Sequence, residues 1–125
     1  MCQPPVVVIV EDDQEMSRLE QELLALHGLE SMCAYDGIEA IDLCQRCNVK
    51  AVMLDLMLPK MDGFETCKRL RECLPPRLPI IIVTALDSDD CRQQGFQVGA
   101  DAYFSKPFDP DEVIHTLERL MVEAG

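Results

Sequence analysis

The sequence predicts an α/β domain in which a parallel five-stranded sheet is covered by helices on both faces. Apolar runs at 6–10, 51–54 and 80–83 are continuous rather than alternating, the pattern of strands buried on both sides. Between them lie segments whose apolar residues recur at three- and four-residue steps, as on amphipathic helices. The connections are short, so successive strand–helix–strand units close as crossovers and the strands run parallel.

The elements follow in order. Val6-Val7-Val8-Ile9-Val10 is a β-branched strand that stops at Glu11-Asp12-Asp13. Met16, Leu19, Leu23 and Leu26 mark the apolar stripe of a first helix, which Gly28 ends. Ser31–Ala34 is a short second strand before a turn at Asp36-Gly37, and Ile38, Ile41 and Cys44 or Gln45 line a second helix. The third strand spans 51–56 and carries Asp55 near its C-terminal end. Asp62 with Glu65 three residues on predicts a capping box, opening a helix with Phe64, Cys67 and Leu70 on its apolar face. Pro75, Pro76 and Pro79 close that helix off. Ile80–Thr84 is the fourth strand. The 87–98 segment is mostly polar, contains Gly95 and supports a helix only weakly, whereas Ala102–Ser105 reads as a fifth strand. Val113, Ile114, Leu117, Leu120 and Met121 form the clearest helical stripe in the chain.

Size and charge limit what such a domain does. The 125 residues fit one domain, here 1–125, and contain no repeat or linker. Eleven basic residues against 23 acidic ones give a net charge of −12, which opposes binding to nucleic-acid backbones or anionic membranes. No apolar run approaches the ~20 residues of a membrane span. Met1-Cys2-Gln3-Pro4-Pro5 lacks the basic start of a signal peptide, and the seven cysteines have no framework spacing. Together these predict reduced thiols in the cytoplasm. Cys44 and Cys47 form a CxxC inside a predicted helix without a second ligand pair, which points to packing rather than zinc or redox work. His27 ends the first helix, where a cation suits the helix dipole, and His115 lies in the last; no nucleophile pattern accompanies either.

The strand ends carry the chemistry. Glu11 and Asp12 follow the first strand, Asp55 closes the third, Thr84 the fourth, and Lys106 follows the fifth. A parallel sheet brings all these ends to one edge, where α/β folds place their ligands. Crowded carboxylates there call for a cation, and a hard divalent ion such as Mg²⁺ suits an all-oxygen site. A metal, an ammonium and a hydroxyl are what the oxygens of a transferring phosphoryl group need. A remaining carboxylate then serves as nucleophile and forms an acyl phosphate.

Four segments resemble the receiver domain of bacterial two-component response regulators, and the resemblance covers essentially the whole chain. They are Val8–Asp13 (VIVEDD), Asp55–Gly63 (DLMLPKMDG), Val83–Ala85 (VTA) and Gly99–Phe108 (GADAYFSKPF). The resemblance implies a flavodoxin-like (βα)5 three-layer sandwich with strand order 2-1-3-4-5. It implies a phosphorylation-controlled signalling switch with weak phosphotransfer and autodephosphorylation activity, rather than a turnover enzyme. Asp55 becomes the phosphoacceptor, served by the phosphohistidine of a sensor kinase or phosphotransfer protein. Asp12, Asp55 and the backbone carbonyl of Met57 would hold Mg²⁺, with Glu11 acting mainly through water. Thr84 and Lys106 would contact the phosphoryl oxygens, helped by N–H groups near Met57 and Ala85, and Asp13 is the variable position after the acidic pair. Lys106-Pro107 is the bond that is cis in the family. Thr84 and Tyr103 are the switch residues; the tyrosine swings inward on phosphorylation and changes the face of the fourth helix, fifth strand and fifth helix. Output passes to a further domain or a downstream protein, and the end at Gly125 suits either a stand-alone regulator or part of a longer one.

Three alternatives are weaker. A pseudo-receiver without phosphotransfer tends to lose one of Glu11, Asp12, Asp55, Thr84 and Lys106, all present here. An aspartyl-intermediate phosphatase needs an acid two residues after its nucleophile, where this chain has Met57. A nucleotide or flavin binder needs a phosphate loop after Val10, which is absent. Dimerisation of the winged-helix regulator type is not expected, because Ala102 and Thr116 stand at its acidic and arginine positions.

Overall fold

The computed structural model describes residues 4–124. Met1–Gln3 and Gly125, and with them the start of the segment read above for a signal peptide and the Cys2 thiol, lie outside the described residues. The elements are β1 (Val6–Val10), α1 (Gln14–Leu26), β2 (Ser31–Ala34), α2 (Gly37–Arg46), β3 (Val49–Leu54), α3 (Gly63–Cys73), β4 (Ile80–Thr84), α4 (Asp89–Gln97), β5 (Ala102–Ser105) and α5 (Pro110–Ala124). All strand pairs are parallel, in the order β2-β1-β3-β4-β5. That is the order the resemblance implies. The order in which strands are added reverses between β1 and β3, and that switch point opens the crevice at which such sheets bind ligands.

Alternate strand residues serve two cores. Val7, Ile9, Ala51, Met53, Ile81 and Val83 pack with Leu24 of α1 and with Val113, Ile114 and Leu117 of α5. Val8, Val10, Val52, Leu54, Ile80 and Ile82 pack on the opposite face with residues of α2 and α3. Both faces of the central strands are therefore sealed, which is why their sequences do not alternate.

Several local readings change. The third strand starts at Val49 and ends at Leu54, so Asp55 sits just beyond it in the loop rather than within it. The Asp36-Gly37 turn is a helix start: the Asp36 carboxylate accepts from the Glu39 N–H and Gly37 is the first residue of α2. Asp62 caps α3 through the Phe64 N–H, but Glu65 pairs with Arg69 at 2.9 Å, so the reciprocal half of the capping box is not made. Gly28, at φ 73°, completes a Schellman end to α1: its N–H reaches Ala25 O at 3.0 Å and that of Leu29 reaches Leu24 O at 2.9 Å.

The apolar face assigned to α1 is rotated. Leu19 and Leu26 are exposed, while Ser17, Glu20 and Leu24 point inward. On α2, Cys44 is buried and Ile41 packs on the core as expected, but Ile38 and Gln45 are exposed and Ala40 and Leu43 are buried. Burial, with the negative charges of Glu11 and Asp55 opposed by Lys106, pushes the Glu20 carboxyl from 4.5 up to about 8. Folded protein therefore keeps a proton that unfolded chain loses above pH 4.5, so this residue's contribution to stability falls as pH rises from 4.5 through 8 and is flat beyond. Urea unfolding of wild type and Glu20→Gln at pH 5 and pH 8 should show the wild type losing more stability across the interval. Parallel pH profiles would contradict the assignment.

Candidate functional site

Four strand ends build the site. The Asp55 N–H donates to Val10 O at 3.0 Å and that of Lys106 to Thr84 O at 2.7 Å, so sheet-like hydrogen bonds continue one residue past β3 and β5. These bonds fix the loops from which the side chains project. The Asp13 carboxylate caps α1 by accepting from the Glu15 and Met16 N–H groups, which orients the acidic pair before it.

Glu11, Asp12 and Asp55 each place a carboxylate oxygen within 4.8 Å of the other two. The Lys106 ammonium donates to Asp55 Oδ2 at 3.0 Å and to Glu11 Oε1, tying the ends of β1, β3 and β5 together. Asp55 Oδ1 accepts from the Met57 N–H at 3.0 Å, and Glu11 Oε2 from the Asp13 N–H at 3.2 Å. Glu11 and Asp55 are buried and Asp12 is half-buried. Burial raises the Glu11 carboxyl, the charge of Asp55 adds to this, and Lys106 works against both. For Lys106, burial works to lower the ammonium, but the hydrogen bonds to Glu11 and Asp55 outweigh it and leave the group above its ordinary value.

The remaining expected residues fall beside this centre. Thr84 ends β4, fully buried, with its hydroxyl accepting from the Leu86 N–H at 3.4 Å. Tyr103 lies inward on β5, its hydroxyl donating to the Leu86 carbonyl. Lys106-Pro107 is cis, as the resemblance implies. On the far side, Lys60, at φ 68°, pairs with the Asp36 cap at 3.4 Å and ties the loop after Asp55 to the start of α2. The hydrogen bond from the Glu39 N–H chiefly holds the Asp36 carboxyl below the ordinary aspartate range, and Lys60 adds to this against burial.

Elsewhere the chain is quiet. The described cysteines are free thiols; burial pushes Cys44 up to about 12 and Cys67 to about 11. A thiol at Cys44 held so far above neutrality is a packing group, and Cys47 Sγ meets Met32 Sδ at 3.5 Å. The His27 ring is 3.1 Å from Leu23 O, and His115 is exposed on α5. No helix among the described residues is long and apolar enough to cross a membrane.

Two features escaped the sequence. Glu20 was hidden because the apolar residues flanking it suggested a different buried face, although Ser17, Glu20 and Leu24 have helical spacing themselves. Arg92 sits in the polar 87–98 segment, where only its spacing to Gly95 and Phe96 hinted at a shared face.

Comparison with known proteins agrees with this geometry. The family model described as the response regulator receiver domain matches residues 7–118. The response regulator MprA of Mycobacterium sp. (strain KMS) is 36% identical over 118 residues, 94% of this chain and 51% of that protein. The DNA-binding dual master transcriptional regulator RpaA of Synechocystis is 38% identical over 118 residues, 94% of this chain and 49% of that protein. The chain thus spans about half the length of these curated relatives. Among solved structures, the receiver domain of Francisella response regulator 1452 has a TM-score of 0.89 at 31% identity, covering 98% of this chain and all of that one. The Vibrio cholerae chemotaxis protein CheY4 has a TM-score of 0.86 at 30% identity, covering 94% and 99%. A match over residues 7–118, on a fold whose strand ends meet as described, places this chain in the receiver-domain family of two-component response regulators.

Proposed function

We propose that Asp55 accepts a phosphoryl group from the phosphohistidine of a sensor kinase or phosphotransfer protein, and that the resulting acyl phosphate sets the state of a signalling switch. The observation that carries this is Lys106 bridging Glu11 and Asp55 beside a three-carboxylate cluster. The carboxylates of Glu11, Asp12 and Asp55, all within 4.8 Å of one another, fit a hard divalent cation such as Mg²⁺; Asp12, Asp55 and the Met57 carbonyl would hold it, with Glu11 acting through water. When bound, the cation supplies charge neutralisation to the phosphoryl oxygens.

The chain's own groups do the rest. An oxygen of Asp55 forms a bond to phosphorus while the phosphorus–nitrogen bond of the donor breaks and its electron pair leaves with the imidazole. Lys106 stays beside Asp55 and stabilises the charge on the phosphoryl oxygens; the Thr84 hydroxyl and the N–H groups near Met57 and Ala85 supply further donors. The receiver takes in residues 1–125, acts in the cytoplasm and is a phosphoacceptor with weak phosphotransfer and autodephosphorylation activity of its own. Its output runs through Thr84 and Tyr103 to the α4–β5–α5 face and on to a further domain or a separate protein. This chain itself engages neither nucleic acid nor membrane, consistent with its charge of −12.

With Mg²⁺ and a small acyl-phosphate donor, the intact mass should rise by one phosphoryl group, and Asp55→Ala should abolish the gain. A phosphorylated Asp55→Ala protein would refute the assignment.

The switch segment should be the loosest helix. Gly95 is its only buried residue, whereas α5 buries Val113, Ile114 and Leu117. A glycine inside a helix costs about 1 kcal/mol, and few apolar anchors mean low local stability. Amides of α4 should exchange faster than those of α5 and change on phosphorylation. An unaltered exchange pattern would count against the output route.

A further inference from the structure

The polar helix α4 carries one organised face. Arg92, Gly95 and Phe96 stand three and four positions apart, so they point the same way, and all three meet Tyr103. The Arg92 guanidinium carbon lies 4.9 Å from the centroid of the tyrosine ring. Its Nη1 donates to Tyr103 O at 3.5 Å and its Nη2 to Ser105 Oγ at 2.8 Å. Ser105 directly precedes Lys106, so Arg92 grips both the switch aromatic and the strand end that presents the ammonium to Asp55.

Gly95 provides the room. A Cβ there would sit 2.9 Å from Ile82 Cδ1, closer than real side-chain carbons come, and 3.0 Å from Tyr103 Cδ2, a contact that presses on the ring. Ile82 and Tyr103 are both buried, so an alanine there would crowd the ring as well as the tip of the isoleucine. Phe96 closes the outer side with its ring centroid 6.5 Å from that of Tyr103.

We propose that Arg92 and Gly95 form a seat that holds Tyr103 inward, and that as positioning residues they set how readily Asp55 takes a phosphoryl group. The link to Asp55 rests on the switch reading, in which the inward tyrosine accompanies phosphorylation. A ligand that prefers one state binds in proportion to how much of that state is already populated. Loss of one cation–π contact and its hydrogen bonds shifts such a population by about three- to tenfold.

The composition makes the test direct. The chain has no tryptophan and two tyrosines, so Tyr35→Phe leaves Tyr103 as the only indole or phenol fluorophore. In that background, acrylamide quenching reads the exposure of Tyr103, and titration with beryllofluoride and Mg²⁺ reads the affinity of the site for a phosphoryl mimic. Arg92→Met and Gly95→Ala should each raise quenching severalfold and weaken beryllofluoride binding by about three- to tenfold. Arg92→Lys, which keeps the charge but not the paired donors, should fall between. Unchanged quenching in Arg92→Met would overturn the seat, and it decides the matter if circular dichroism shows Gly95→Ala unfolded. Increased quenching with unchanged beryllofluoride affinity would overturn the link to Asp55. A background protein that binds no beryllofluoride at all would instead overturn the phosphoacceptor reading and the link that rests on it, while quenching still decides for or against the seat.

Discussion

Asp12→Ala should weaken Mg²⁺ binding at least tenfold, about 1.4 kcal/mol, while Glu11→Ala should have a milder effect. The two acids are neighbours in sequence but not in situation. Glu11 already has both oxygens engaged, one by Lys106 and the other by the Asp13 N–H. The Asp12 carboxylate accepts no hydrogen bond among the described residues and lies half-exposed at the rim, within 4.8 Å of Glu11 and Asp55. It is free to ligate a cation without giving up a partner. Titration calorimetry of the three proteins at one pH and ionic strength measures the order. Equal affinity in wild type and Asp12→Ala would contradict it.

The phosphorylated state should be long-lived, and Met57→Asn with Leu86→Glu should shorten it at least tenfold. Hydrolysis needs a water in line with the bond from Asp55 to phosphorus. Met57 and Leu86 stand two residues after Asp55 and Thr84, and by the resemblance to receivers these are the positions expected to flank this approach. Met57 is 54% exposed beside the acceptor and offers only a thioether. Leu86 packs against the core while its backbone is taken up by Thr84 and Tyr103. Neither side chain has a group that orients water. One orienting hydrogen bond is worth about 1 kcal/mol, and each tenfold in rate corresponds to about 1.4 kcal/mol of barrier, so two polar replacements suffice. Dephosphorylation followed at constant Mg²⁺ gives the comparison. An unchanged or slower rate in the double variant would refute the argument.

The sheet was legible because burial on two faces leaves an unmistakable record: Val6–Val10 and Ile80–Thr84 have the same bounds in sequence and structure. The strand-end residues were legible because parallel topology carries them to one edge wherever the strand limits fall, so moving Asp55 from strand to loop cost nothing. The helices were harder. Their existence followed from periodicity, but the buried face of α1 and part of that of α2 did not, since Leu19, Leu26 and Ile38 are exposed although they are among the most apolar residues of these helices. On α1 the inward position near the site went to an acid, and hydrophobicity alone has no means of predicting that. For α4 the reason differs: it is held by a guanidinium, a ring and a missing Cβ, none of which registers as an apolar stripe.

Everything proposed for this site turns on the identity of one carboxylate. Borohydride reduction of the protein after phosphotransfer from a phosphohistidine donor converts an aspartyl phosphate to homoserine, and peptide mass spectrometry locates it. Homoserine should appear at position 55 alone, and only when donor and Mg²⁺ are both supplied. Homoserine at position 12, or none under conditions that phosphorylate a known receiver, would contradict the assignment of Asp55.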